Sequence, residues 1–305
     1  MKSFASAILK AGFCYSILIL LAVSESYAQQ GVVSEEITSH IFKPVKVEAT
    51  QERLNQLEMP EGFTVTKFAE NLGKPRMIIT GPGGAVYVSR RDKGDVLLLK
   101  DTNKDGEADE MKTIIKKENA HGMAIHDGKF YLVTVQEVYS GKLNEDGTVG
   151  KLQLLIDDLP VGGQHPNRTI GFGPDSMMYI TVGSTSNSYP ELNKRSATIL
   201  QAKPDGSDVK VFAKGLRNTI GFDLHPQTKE LYGMDHGIDW LGDNEQKEEL
   251  NHIKEGADYG WPFIYGDGNF NKADEPDSLT YEEYAAKAEA PVLMHTAHSS
   301  PLGMV

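Results

Sequence analysis

Gly81-Pro-Gly-Gly-Ala-Val-Tyr-Val-Ser89 reads as a turn followed by a strand built around a tyrosine. The pattern returns at His126-Asp-Gly-Lys-Phe-Tyr-Leu-Val-Thr134, at Gly173-Pro-Asp-Ser-Met-Met-Tyr-Ile-Thr181 and at His225-Pro-Gln-Thr-Lys-Glu-Leu-Tyr-Gly233. The shared tyrosines, Tyr87, Tyr131, Tyr179 and Tyr232, are spaced by 44, 48 and 53 residues. Periods of about 40 to 50 residues made of short strands and turns are the signature of propeller blades. Each strand needs neighbours for its backbone groups, and four-stranded blades round an axis leave only short edges open. A β-sandwich with coincidentally similar turns is the alternative; blade-to-blade loops of different length explain the unequal intervals better.

The expected fold is therefore all-β, a β-propeller. Four marked repeats, plus the beginning of another in residues 291–305, do not close a ring. The sequence ends inside Ser299-Ser-Pro-Leu-Gly-Met-Val305 without a polar finish, so we expect a propeller C-terminally incomplete after about four to five blades. Two helical islands are expected between strands. One is the short charged segment 243–254; the other opens at Thr280-Tyr-Glu-Glu283, which has capping-box spacing.

The chain has 305 residues, 39% of them hydrophobic, with 43 acidic and 31 basic side chains and a net charge of -12. That composition supports a folded core and excludes a disordered chain. A carboxylate surplus without a Lys/Arg cluster repels phosphate backbones, so neither nucleic acid nor an anionic membrane is an expected partner. Lys2 and Lys10 precede an apolar run over 11–23, and Ser26-Tyr27-Ala28 offers small residues at a cleavage site. Residues 1–28 thus read as a signal peptide cut near Ala28, 29–56 as a lead-in, and 57–305 as the propeller domain. The mature chain is expected to be periplasmic or secreted, with no membrane span. Cys14, the single cysteine, would leave with the signal, excluding disulfides, Cys-ligated zinc and C-x-x-C-H haem attachment.

Three clusters carry candidate chemistry. In Gly215-Leu-Arg-Asn-Thr-Ile-Gly-Phe-Asp-Leu-His-Pro226, Arg217 and Asn218 put a five-donor fork and an amide just before a strand, suited to a planar anionic ligand. An inter-blade ion pair is the alternative. In Gly162-Gly-Gln-His-Pro-Asn-Arg-Thr-Ile-Gly-Phe-Gly-Pro-Asp175, His165 follows a glycine pair and can take a proton near neutral pH, unless it is an idle loop histidine. Asp235-His-Gly-Ile-Asp-Trp-Leu-Gly-Asp243, with Glu248-Glu-Leu-Asn251 and Tyr259-Gly-Trp-Pro262, clusters carboxylates and glycines in a way that suits a hard cation such as calcium, or an ordinary acidic loop.

At these three clusters, and at His298-Ser-Ser-Pro-Leu-Gly, the sequence resembles the pyrroloquinoline quinone (PQQ) dependent sugar dehydrogenases, in particular the L-sorbosone dehydrogenase-like branch, over residues 57–305. The resemblance implies a six-bladed propeller whose axial cleft holds PQQ and calcium, with a histidine general base. His165 best matches that base, although Gln164 takes the same position if no gap precedes Arg168. Arg217 and Asn218 match the cofactor-contacting pair. The carbonyls of Gly237 and Ile238 match the calcium turn, where related proteins carry Pro or Arg in place of Ile238. The implied reaction moves hydride from a sugar lactol or hydrated aldehyde to the quinone while His165 takes the hydroxyl proton. The family's further basic cofactor contacts lie in later blades and have no counterpart before Val305. Electrons would then leave to an external acceptor such as a cytochrome c or a quinone.

Asp101-Thr-Asn-Lys-Asp-Gly-Glu-Ala-Asp109 adds a partial calcium loop, with Asp101, Asn103, Asp105 and Asp109 as candidate ligands. Position 12 of an EF-hand would fall on Lys112, so a plain Asx-rich turn is the alternative. His121 with His126 and His295 with His298 lack a zinc pattern, although His121 is a candidate to line the cleft. Competing functions are a calcium-dependent propeller lactonase and a non-catalytic carbohydrate-binding propeller.

Overall fold

The computed structural model describes residues 38–304 apart from 42, 44, 46, 49 and 273, and residues 39–305 form one compact unit. The signal segment, its cleavage near Ala28 and Cys14 lie outside the described residues. Among the described residues no helix is long and apolar enough to cross a membrane.

Four four-stranded antiparallel sheets follow one another along the chain. The first is β1 (Ile78–Thr80), β2 (Val86–Arg90), β3 (Asp95–Lys100) and β4 (Glu110–Lys116); the second is β5 (Met123–His126), β6 (Lys129–Val133), β7 (Val138–Lys142) and β8 (Gln153–Ile156). The third comprises β9 (Ile170–Phe172), β10 (Met178–Val182), β11 (Thr198–Ala202) and β12 (Lys210–Lys214). The fourth begins with β13 (Thr219–Leu224), β14 (Leu231–Asp235) and β15 (Glu248–Ile253). A small hairpin, β16 (Ile264–Tyr265) and β17 (Asn269–Phe270), precedes its last strand, β18 (Leu293–His295). This is the β-propeller arrangement, and all four marker tyrosines sit on the second strand of their blades.

The cores lie between blades. Tyr87, Val96 and Leu98 of the first blade pack with Met123, Phe130 and Leu132 of the second. Tyr131, Val133 and Val138 pack with Ile170, Met178 and Ile180 of the third. Ile199 and Phe212 pack with Leu231 and Ile253 of the fourth. A strand covered on both faces has no solvent side, which is why Asp95–Lys100 and Met178–Val182 read as nearly continuous apolar runs. The tyrosines also tie neighbours together by rings: Tyr87 lies 5.1 Å from Phe130 and Tyr131 4.6 Å from Phe172.

Two local expectations change. The charged segment 243–254 is not a helix: Glu248–Ile253 is the third strand of the fourth blade. Its glutamates are buried, and their carboxylates are occupied by backbone amides, Glu248 Oε2 accepting from Gly237 N at 2.9 Å and Glu249 Oε1 from Gly266 N at 2.7 Å. Charge pattern alone could not reveal partners so distant along the chain. Within residues 291–305, expected to begin another repeat, Leu293–His295 is instead β18, which pairs with β15 and completes the fourth blade. The capping box is present: Thr280 Oγ1 accepts from Glu283 N at 3.2 Å and Glu283 Oε2 from Thr280 N at 3.0 Å, at the start of α2 (Tyr281–Ala285), which follows the short α1 (Gln51–Leu54) in chain order.

The first strands β1, β5, β9 and β13 line a shared cavity of about 560 Å³ with Leu302, Gly303 and Met304. Because strands alternate in direction, the loops entering each first strand and leaving each second strand emerge at the same end. The β8–β9, β10–β11, β12–β13 and β14–β15 loops therefore meet there.

Candidate active site

His165 stands in the β8–β9 loop, half-buried. Its Nδ1 lies 2.7 Å from Ser184 Oγ and 3.1 Å from Ser184 O, and its amide donates to the same carbonyl at 3.2 Å. Ser184 Oγ donates onward to Ser186 O at 2.7 Å, so it has a lone pair, not a proton, for the ring. Nδ1 therefore carries the hydrogen and Nε2 is left with a lone pair. Burial, and after it the Arg217 charge, push the His165 pKa down to about 4, so the ring is neutral near pH 7.

Arg217 and Asn218 lead into β13, and both are buried. Asp235, at the end of β14 and paired in register with Thr219, fixes them: its carboxylate accepts from Arg217 N at 2.8 Å, Asn218 N at 2.9 Å and Thr219 Oγ1 at 2.8 Å. Burial raises the Asp235 pKa. The guanidinium points elsewhere, donating from Nε to Asn187 O at 2.9 Å, from Nη1 to His236 O at 3.0 Å and from Nη2 to Asn187 Oδ1 at 2.5 Å. Among the described residues Arg217 thus makes no salt bridge to a carboxylate, and the inter-blade ion pair weighed from the sequence is not formed there. Burial lowers its pKa.

Gly183 brings the two loops together. A Cβ there would stand 2.6 Å from His165 Cβ and 2.9 Å from Asn218 Oδ1, so only a glycine lets the histidine and the amide approach. Asn218 Oδ1 is buried without a partner, while Asn218 Nδ2 faces His236 Nδ1 at 3.3 Å. His236 Nε2 lies 2.6 Å from Pro301 O, to which it donates, so its Nδ1 accepts from the asparagine. Gln164, exposed, donates from Nε2 to Asn187 Oδ1 at 3.2 Å and so joins the same Asn187 that holds Arg217. His165 and Gln164 both reach the site, the histidine more deeply.

Gly237 and Ile238, also buried, begin the β14–β15 loop. Their amides are pinned, Gly237 N to Glu248 Oε2 at 2.9 Å and Ile238 N to Gln246 Oε1 at 3.0 Å. A Cβ on Gly237 would lie 2.6 Å from Gln246 O, so glycine is required there too. No described residue donates a hydrogen bond to either carbonyl. The sequence reading missed Asp235, Asn187, Ser184 and His236 as organisers; the one signal was the presence of Asp235 and His236 in the motif beginning at Asp235.

Asp101, Asn103, Asp105 and Asp109 lie at the opposite end of the first blade, between β3 and β4. Their oxygens face N–H and O–H donors: Asp101 accepts from Lys104 N, Asp105 N and Gly106 N, and Asp109 from Thr102 N, Thr102 Oγ1 and Asn103 Nδ2. Among the described residues no group of three or more His, Cys, Asp or Glu side chains is arranged to hold a metal.

The chain is 22% identical over 291 residues to the quinoprotein glucose dehydrogenase B of Acinetobacter calcoaceticus, covering 75% of this chain and 57% of that protein's length. Its fold superposes on the calcium structure of a Trichoderma reesei member of carbohydrate-active enzyme family AA12 with a TM-score of 0.68, at 21% identity over 77% of this chain and 71% of that one. The holo form of the pyranose dehydrogenase PQQ domain from Coprinopsis cinerea gives the same TM-score at 19% identity, covering 81% and 71%. A model of the TrAA12-like family matches residues 57–305, and the chain belongs to that family.

Proposed function

We propose that this chain is the site-bearing part of a PQQ-dependent oxidoreductase that oxidises a sugar or a sugar-derived aldehyde, of the L-sorbosone dehydrogenase-like kind, exported to the periplasm or beyond. The observation that carries this reading is the approach of His165 to Asn218 across Gly183, with Arg217 held beside them. The residues fit the groups concerned. A buried amide with one unpartnered atom and a buried guanidinium whose hydrogen bonds go to neutral oxygens suit a planar quinone acid. Two adjacent carbonyl oxygens without donors suit calcium.

Arg217 and Asn218 would hold the quinone, with Gln164 at the rim, and the carbonyls of Gly237 and Ile238 would hold the metal. What PQQ supplies when bound, with calcium polarising it, is a two-electron acceptor of hydride. His165 accepts the substrate hydroxyl proton at Nε2 while Ser184 keeps Nδ1–H in place. Asp235 keeps the Arg217–Asn218 backbone rigid, which maintains the positive potential where negative charge develops. The substrate is a small sugar or sugar-derived aldehyde, and the electrons continue to an external acceptor such as a cytochrome c or a quinone.

The test is reconstitution: the protein, freed of metal, is given PQQ and calcium and then aldoses, and reduction of an artificial acceptor is followed. Turnover that needs both PQQ and calcium supports the proposal. Lactone hydrolysis without PQQ, or carbohydrate binding without any turnover, would overturn it.

A further inference from the structure

A second polar cavity of about 390 Å³ opens at the same end as His165, lined by Lys74, Arg76, Arg91, Asp92, Asn119 and Asn167. These residues come from the loops entering β1, leaving β2, entering β5 and entering β9, so three blades contribute. Among the described residues, none of Lys74, Arg76 and Arg91 is in an ion pair, although the chain carries a net charge of -12. Asp92 is the one acidic residue on the lining, and it is exposed. Three cations face one carboxylate.

Polar atoms without partners gather at this place. Arg91 Nε and Asn167 Oδ1 are buried and unpartnered. So is Nε2 of His121, a residue only 1% exposed, whose Nδ1 donates to Arg168 O at 2.7 Å. Arg76, Arg91 and Arg168 lie close enough to depress the His121 pKa, to about 4, though burial is the larger cause. Arg168 spans the gap to the active site, donating from Nη1 to His165 O at 2.7 Å. Asn167 lies two residues from His165 itself.

We propose that Lys74, Arg76 and Arg91 form an anion subsite beside His165, which makes the preferred substrate a sugar bearing an anionic group, a carboxylate or a phosphate. Guanidinium forks match such oxyanions with paired hydrogen bonds, and the cavity has the size of a small-molecule site. With the anion seated between Arg76 and Arg91, the remainder of the sugar extends past Asn167 toward His165. This inference rests on the oxidoreductase reading for what happens at His165, but not for binding.

Binding is therefore the test. D-glucuronate, glucose 6-phosphate, D-glucose and inorganic phosphate are titrated calorimetrically into the chain and into its Lys74→Gln/Arg76→Gln variant, both residues being exposed. The expected result is that glucuronate or glucose 6-phosphate binds at least tenfold more tightly than glucose, and that the variant loses this advantage while binding PQQ unchanged. The two charged sugars distinguish a carboxylate from a phosphate. Equal affinity for charged and neutral sugars, inorganic phosphate binding as tightly as glucose 6-phosphate, or loss of PQQ in the variant would each overturn the subsite. Tight glucuronate binding with no oxidation by the PQQ-loaded protein supports the subsite and removes the oxidoreductase reading instead.

Discussion

Asp235 holds Arg217 by its backbone and not by its charge: the carboxylate receives the Arg217 amide at 2.8 Å, while the guanidinium turns to Asn187 and His236. Asp235→Ala leaves the amides of Arg217 and Asn218 and the Thr219 hydroxyl without acceptors in a buried setting. At about 1 to 3 kcal/mol for each unsatisfied group, we expect a loss of at least about 3 kcal/mol, read by urea denaturation. PQQ uptake should fall with it. A variant of unchanged stability would remove Asp235 from this role.

His165→Gln retains the size and much of the hydrogen bonding of the ring but cannot take the proton. We expect turnover to fall by about 10²- to 10⁴-fold with PQQ affinity unchanged, measured by steady-state kinetics and cofactor titration. Ser184→Ala frees the tautomer and should give a smaller loss, also in kcat.

Gly183→Ala places a methyl 2.6 Å from His165 Cβ and 2.9 Å from Asn218 Oδ1. Both groups must move, so cofactor uptake and turnover should fall together, as few single changes would make them do. The fold should survive, since the change lies at a loop and not between blades; circular dichroism checks this.

His121 and His165 both titrate near 4 in the folded protein, against 6.5 for the free side chain, chiefly because burial disfavours the charged ring. Between pH 6.5 and 4 the unfolded chain binds more protons, so stability falls as pH is lowered through that window and levels off below it. At His121, 1% exposed, the effect reaches on the order of 3 kcal/mol. His121→Gln should flatten the acid limb of a melting-temperature profile; an unaltered profile would count against its neutral burial.

Leu132 is fully buried between the first two blades. Leu132→Ala should cost about 2 to 5 kcal/mol. Tyr87→Phe, which removes only the hydroxyl donated to Gly147 O at 2.9 Å, should cost about 1 kcal/mol. Denaturant midpoints test both, and a cost for Tyr87→Phe as large as for Leu132→Ala would mean the bond to Gly147 O matters more than packing.

The blades were legible in the residues alone. A strand buried on both faces must be apolar throughout, and its turn must supply Gly, Asp or Asn, so the tyrosine-marked repeats at 87, 131, 179 and 232 fall on equivalent strands without any long-range information. The Thr280 cap was legible for the same reason, since donor and acceptor stand three residues apart. That Glu248 and Glu249 belong to a strand became visible only in the folded chain, because the amides of Gly237 and Gly266 that donate to their carboxylates in the interior arrive from separate loops. Tertiary structure also decided which atoms of the site are free. His165 Nε2 and the carbonyls of Gly237 and Ile238 are available only because Ser184, Glu248 and Gln246 occupy the neighbouring groups, and hydrogen-bond partners brought together by folding leave no mark in local spacing.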